Sequence, residues 1–144
     1  MAHEAAVEMM YLLDTNVISE LRRPRPNRTV LAWISNVAVD QVYLSAVTIG
    51  ELQAGVENAK EQDAARATVI ESWVDGVAGS YKVLPMDGPT FRRWAQLMHR
   101  QPPDLIPDAM IAATALVHNL TVVTRNIRDF QRLGLTAINP FEKV

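Results

Sequence analysis

Three carboxylates sit where a chain tolerates them least. Asp14 closes the apolar run Met-Met-Tyr-Leu-Leu and leads into Thr-Asn-Val-Ile. Glu51 lies within Val-Thr-Ile-Gly-Glu-Leu, and Asp108 opens Asp-Ala-Met-Ile-Ala-Ala-Thr-Ala. Burying an ionised acid is costly unless it is paired or bound to a metal. Core-like segments that keep three acids point to a folded acidic cluster organised around a cation. Oxygen donors suit a hard divalent ion such as Mg²⁺.

The 144 residues are expected to form a single domain over 1–144, long enough for a substantial core. Hydrophobic residues make up 49% of the chain, which argues against disorder. No apolar run approaches the roughly 18 residues of a membrane span, so no membrane association is expected. Residues 1–8 carry acids and lack a basic flank. They read as a loose N-terminal extension and not as a signal peptide. There is no cysteine, which excludes disulfides and thiolate metal sites and fits a reducing cytoplasm. A net charge of −2 gives no global case for nucleic-acid binding, so any such contact must come from local basic patches.

Short apolar strands are predicted over 9–13, 42–44, 82–86, 120–124 and 135–138. Between them lie helices over 16–23, 29–36, from a Ser45 N-cap to about 56, 57–77, 89–98 and 108–118. Val69, Ile70, Trp73 and Val74 are expected on one buried stripe of the 57–77 helix. Strands alternating with helices imply parallel β-α-β units, and strands apolar throughout fit a sheet covered on both faces.

In such a sheet ligands gather at the carboxyl ends of the strands. Asp14 follows the first strand, and Asn126 and Asp129 follow the strand ending at Thr124. Asp108 begins a helix, whose dipole favours an ionised carboxylate. Glu51 lies in the second turn of its helix, among residues expected to face the core. Converging carboxylates repel and raise one another's pKa values, and a divalent ion relieves this. Such an ion activates water and stabilises phosphoryl charge, the chemistry of phosphodiester hydrolysis. No P-loop and no His-Glu-x-x-His pattern is present.

Four strings carry a resemblance: Leu-Leu-Asp-Thr-Asn-Val-Ile-Ser-Glu-Leu (12–21), Val-Thr-Ile-Gly-Glu-Leu (47–52), Asp-Ala-Met-Ile-Ala-Ala-Thr-Ala (108–115) and Val-Thr-Arg-Asn-Ile-Arg-Asp-Phe (123–130). In order and spacing they resemble the PIN-domain family, closest to toxin ribonucleases of the VapC and FitB type. The resemblance implies a three-layer α/β/α fold with a mostly parallel sheet and Mg²⁺- or Mn²⁺-dependent RNA cleavage. It implies Asp14, Glu51 and Asp108 as the acidic triad. The family's fourth position, often Asp, falls on Asn126, and Thr15 and Asn16 match a polar pair expected to orient the ligands. Asp129 is expected either to compensate for the missing fourth charge or to cap a turn. The resemblance further implies the toxin half of a type II toxin–antitoxin pair. It implies a homodimer and a small antitoxin covering the acidic groove, with promoter DNA bound only through that antitoxin.

Taken singly, each residue has a plainer reading: Asp14 as a helix cap, Glu51 as a solvated helix residue, Asp108 as an N-cap, Asn126 as a turn residue. Glu20 and Asp104 are expected at the surface. Arg22, Arg23, Arg25 and Arg28 form the densest basic cluster and are expected to flank the acids and bind RNA phosphates, as is Arg125 with Arg128 and Arg132. Trp33, Trp73 and Trp94 read as core or interface residues. The alternatives are a non-catalytic PIN-fold module that binds RNA or protein, and an aspartyl-phosphate phosphotransfer domain with Asp14 as acceptor.

Overall fold

The computed structural model describes residues 9–143; the extension expected over 1–8 lies outside them. Strands β1 (Tyr11–Leu13), β2 (Val42–Ser45), β3 (Lys82–Leu84), β4 (Thr121–Val123) and β5 (Ala137–Ile138) form a five-stranded sheet in the order β3-β2-β1-β4-β5. Every neighbouring pair is parallel. The helices are α1 (Thr15–Arg22), α2 (Arg28–Ser35), α3 (Ala46–Lys60), α4 (Ala64–Ser80), α5 (Gly88–Met98), α6 (Ile106–His118) and α7 (Ile127–Arg132).

Adjacent residues of a strand point to opposite faces, and here both faces are apolar. Leu13, Leu44 and Val123 pack with Val17, Ile18, Val30, Leu52, Val56 and Val74 of α1–α4. Leu12 and Val122 pack on the other face with Ala109, Ile111 and Ala112 of α6 and Phe130 of α7. The result is the expected three-layer α/β/α arrangement. Each fully buried aliphatic side chain contributes on the order of 1.5–3 kcal/mol. Trp33 and Trp73 pack at the margin of the first core and Trp94 at that of the second, as expected.

Polar caps fix where the helices begin. Asn27 accepts from Thr29 N and Val30 N at the start of α2, Ser45 from Val47 N at α3, and Asp87 from Thr90 N at α5. At the far end of α6, Asn119 takes a left-handed conformation at φ 55° and closes the helix.

Several elements differ from the sequence reading. The helix expected over 57–77 is two. α3 runs on to Lys60, and α4 starts where the Asp63 carboxylate accepts from Arg66 N at 3.1 Å. No Gly or Pro marks this break; a single N-cap residue does. The buried side of α4 is Ala67, Val74 and Val77, and Val69 is 71% exposed instead of sharing the stripe. α6 starts at Ile106, so Asp108 stands inside its first turn and is not its cap. α7 occupies a stretch to which the sequence reading assigned no element, and Phe130 anchors it in the core. Glu20 is buried, where its carboxylate accepts from Asn27 N at 3.0 Å and meets Arg23 at 3.4 Å. It ties the end of α1 to the following loop.

The break between α3 and α4 gives an expected outcome. Asp63→Ala removes an N-cap and should cost about 1 kcal/mol in urea denaturation. In one continuous helix the same change would be neutral or stabilising, since alanine is the better helix former.

Candidate functional site

The chain lays down β1, β2 and β3 toward one edge of the sheet and β4 and β5 toward the other. The order reverses between β1 and β4, where open parallel sheets form a crevice at their carboxyl ends. Asp14 leaves β1 at that crevice. Its backbone N–H donates to Val123 O of β4 at 2.9 Å, and its carbonyl accepts from Val17 N at 3.0 Å as α1 starts.

The side chain of Asp14 is 4% exposed and held from three sides. Oδ1 accepts from Thr15 N at 2.8 Å. Oδ2 accepts from the Thr124 hydroxyl at 2.7 Å and from Asn16 Nδ2 at 3.3 Å. Thr124 Oγ1 accepts in turn from Asn16 Nδ2 at 3.4 Å and Asn126 N at 2.9 Å. Asn16 Oδ1 takes Arg125 N at 3.2 Å. The loop after β4 is thus fastened to the end of β1. Each carboxylate oxygen has two lone pairs, so these bonds orient Asp14 and leave acceptor capacity.

Glu51 projects from the second turn of α3. It is exposed and not turned into the core as expected. Its Oε1 nevertheless reaches back across the groove to accept from the Thr15 hydroxyl at 2.7 Å, and Thr15 Oγ1 lies 3.0 Å from that of Thr48. Asp108, half-buried in the first turn of α6, lies close enough to Asp129 of α7 to feel its charge. Asn126 is exposed at the N-cap of α7 with φ −92°, outside the left-handed region open to a turn asparagine. Its side chain caps nothing.

These acids feel one another. Burial raises the Asp14 pKa, partly countered by its bonds from Thr124 and Thr15, and the Asp129 charge adds to the rise. Desolvation of the Glu51 carboxyl, turned toward Thr15 and Asp14, raises its pKa as well. Asp108 is pushed up to about 7, first by burial and then by the charges of Asp14, Asp129 and Glu51. Four carboxylates therefore share one electrostatic field.

The donor set fits a divalent ion such as Mg²⁺ or Mn²⁺. It is all oxygen, it is negative, and its internal repulsion is what a cation relieves. Among the described residues, no three acids or histidines are drawn into a ready-made cage. Mg²⁺ commonly takes one or two protein carboxylates and keeps several waters.

The expected orienting residues, Thr15 and Asn16, lie in contact with the acids. Thr124 and Thr48 join them and were not singled out in the sequence. Both sit inside the quoted strings, and threonine at a buried strand end or helix start was the available signal. Asp129 faces Asp108 and does not merely cap a turn. Arg132 bridges Asp104 and Asp129 at 3.5 and 3.4 Å, so its charge is already engaged. Arg125 stands at the site, with its guanidinium 3.8 Å from the Phe141 ring centroid.

Arg22 and Arg23 of the basic cluster stand at the far end of α1 from Asp14. α1 leaves Asp14 and runs for eight residues, about 12 Å, before Arg22. There Arg22 lies over Trp73 at 5.9 Å and Arg23 pairs with Glu20. Direction along the helix, which spacing alone does not convey, separates these two from the site.

The PIN-domain family model matches residues 11–135. The chain is 38% identical over 139 residues to the toxin FitB of Neisseria gonorrhoeae, covering 92% of this chain and 99% of that one. It is 40% identical over 142 residues to the VapC ribonuclease Y4jK of Sinorhizobium fredii, again covering 92% and 99%. Among solved structures, FitAB bound to the IR36 DNA fragment is similar with a TM-score of 0.82 and 34% identity, covering 94% of this chain and 98% of that chain.

A pH dependence follows from Asp108. Its folded pKa of about 7 lies above the ordinary 3.8. Between those values the folded state holds the proton more tightly than the unfolded chain, so stability falls as pH rises. In EDTA the melting temperature should be higher at pH 5.5 than at pH 7.5. Asp108→Asn should flatten that difference, and an unchanged pH profile in the variant would contradict the assignment.

Proposed function

The chain belongs to the PIN-domain family, within its VapC and FitB branch, and on that premise we propose that it is a Mg²⁺- or Mn²⁺-dependent endoribonuclease, the toxin half of a type II toxin–antitoxin pair. One observation carries the reading. Asp14, Glu51 and Asp108 stand near the carboxyl end of the sheet, close enough for charge to be felt between them, and all three carboxyl pKa values are raised, by desolvation first. Structural ion pairs neutralise charge; this cluster accumulates it at a place open to a ligand.

Asp14 and Asp108 would hold the ion directly and Glu51 through water. A bound divalent ion supplies water activation and stabilises charge on a phosphoryl oxygen. The chain's own residues do the rest. Thr124, Thr15 and Asn16 fix the direction of the Asp14 carboxylate. Thr15 holds Glu51 at the groove, where its raised pKa suits it to position the attacking water and take its proton. Asn126 offers an uncharged amide to a phosphate oxygen, and Arg125 a cation to the RNA backbone. The Asp129 charge adds to the burial and the Asp14 charge that hold the Asp108 pKa up.

The partners follow from the same premise. FitAB, a structure similar to this chain, is bound to DNA. This supports an antitoxin partner that carries the contact with DNA, since the chain itself has a net charge of only −2; that the antitoxin is small, covers the acidic groove and binds promoter DNA belongs to the same proposal. The α5–α6 pair leaves Phe91, Ile106, Leu116 and Val117 exposed. Apolar surface of this kind supports a homodimer. No helix among the described residues is long and apolar enough to cross a membrane, and the ribonuclease reading carries with it a cytoplasmic site of action.

Asp14→Asn should reduce metal-dependent cleavage of RNA by more than about a hundredfold, since loss of outer partners alone costs 10–100-fold. Circular dichroism should show the fold intact; cleavage at the parental rate would refute the role. A second test is thermal. At pH 7.5, Mg²⁺ or Mn²⁺ at about a hundredfold over Kd should add roughly 2.7 kcal/mol, a rise of several degrees. The rise should shrink at pH 5.5, where Asp108 is protonated. A melt unmoved by either ion at both pH values would remove the metal site.

A further inference from the structure

Beside the acids lies a second recess, about 400 Å³ in volume, with Asn126 and Asp129 on its near wall. Its floor is the loop after β4 and the first turns of α7, through Arg125, Arg128 and Gln131. Its far wall is the segment after β5, through Asn139 and Glu142. The hydrolytic reading uses Asn126, Arg125 and Asp129 but leaves Gln131, Asn139 and Glu142 without a role.

The walls are anchored. Thr124 N donates to Ile138 O at 2.8 Å, which fixes the segment after β5 to the end of β4. Asn139 Oδ1 accepts from Phe141 N at 2.9 Å, which holds its amide and leaves its NH₂ to donate elsewhere. Phe141 packs against the first core, and the Arg125 guanidinium carbon lies over its ring, 3.8 Å from the centroid. One face of that guanidinium is covered by the ring. The other is a cationic plane of the kind on which unpaired bases stack.

Charge decides the ligand class. Arg125 and Arg128 are balanced by Asp129 and Glu142, so the recess is neutral and is no trap for a phosphate. Its lining is mainly polar, with amide donors, an amide acceptor and a carboxylate. An apolar ligand would strand those groups. A nucleobase edge, with donors and acceptors side by side, would satisfy them. The Glu142 carboxylate accepts two hydrogens, and an Asn139 or Gln131 amide donates one. Guanine alone among the RNA bases presents two adjacent N–H donors beside a carbonyl acceptor.

We propose that this recess is a nucleobase subsite that selects an unpaired guanine beside the scissile phosphate, read by Glu142, Asn139 and Gln131 and stacked on Arg125. The inference rests on the ribonuclease reading and extends it to specificity. Because the recess shares Asn126 and Asp129 with the acidic cluster, a nucleotide whose phosphate lies at the acids would have a neighbouring base within reach of it.

The test has two arms. In the first, the full chain in EDTA is titrated with GMP, AMP, CMP, UMP and ribose 5-phosphate while the side-chain amide NMR signals of Gln131 and Asn139 are followed. GMP should shift both, and Glu142→Ala should weaken its affinity roughly tenfold, the scale of a lost bidentate base contact. Equal shifts from all four nucleotides, shifts from ribose 5-phosphate alone, or unmoved amides would overturn the subsite. In the second arm, cleavage ends are mapped on a mixed-sequence RNA with Mn²⁺. The parent should cut next to guanine, and Glu142→Ala should lose that bias. Cleavage without any guanine bias or guanine-specific shift overturns the subsite and sustains the nuclease. A GMP-specific shift in a protein that cleaves no RNA sustains the subsite and overturns the nuclease.

Discussion

The 2.7 Å bond from the Thr124 hydroxyl to Asp14 Oδ2 joins the two halves of the sheet at the point where their strand order diverges. It keeps a buried carboxylate satisfied, directs that carboxylate, and through Thr124 Oγ1 seats the loop that carries Arg125 and Asn126. The backbone bond from Asp14 N to Val123 O lies alongside it. Without this clasp the buried Asp14 carboxylate would lose its shortest hydrogen bond and keep only those from Thr15 N and Asn16 Nδ2, and under-satisfied charge is costly in a core.

Around this clasp the fold maintains an unfavourable charge distribution. Asp14, Glu51, Asp108 and Asp129 come from four elements that would be more stable apart, electrostatically speaking. What holds them together is apolar burial on both faces of the sheet. Leu12 and Leu13, successive residues leading directly to Asp14, anchor opposite cores. The strand end is therefore immobilised from both sides, and the acid after it has little freedom to relieve repulsion by moving. Asp108 sits in the first turn of α6, where the helix dipole offsets part of its charge. The charge distribution suits a ligand and not a resting core.

The acid site and the recess beside it differ in sign. The acid crevice is negative. The recess beyond Asn126 is balanced, with Arg125 and Arg128 facing Asp129 and Glu142. A nucleotide has the same division, with an anionic phosphate that needs cationic neutralisation and a neutral base that needs hydrogen bonds. The arginines at the end of α1 lie outside both regions, a helix length away.

Local patterns in the chain determined much of this. Apolar runs specified five parallel strands, since strands buried on both faces need no polar side. Acids embedded in those runs and helices located Asp14, Glu51 and Asp108, because a carboxylate has no packing reason to be there. Asn126 followed from its place after a strand. Tertiary structure alone decided what depends on distant partners. Thr124 and Thr48 matter because of residues 110 and 33 positions away, and nothing local to a threonine reveals that. α7 exists because Phe130 finds the second core, and Glu20 is buried because Asn27 turns back to it. The orientation of α1 carries Arg22 and Arg23 away from the site, and burial, with the charges of Asp14 and Asp129, lifts the Asp108 pKa to about 7. Hydrophobic periodicity is a property of neighbours along the chain; a hydrogen bond or a field between carboxylates is a property of neighbours in space.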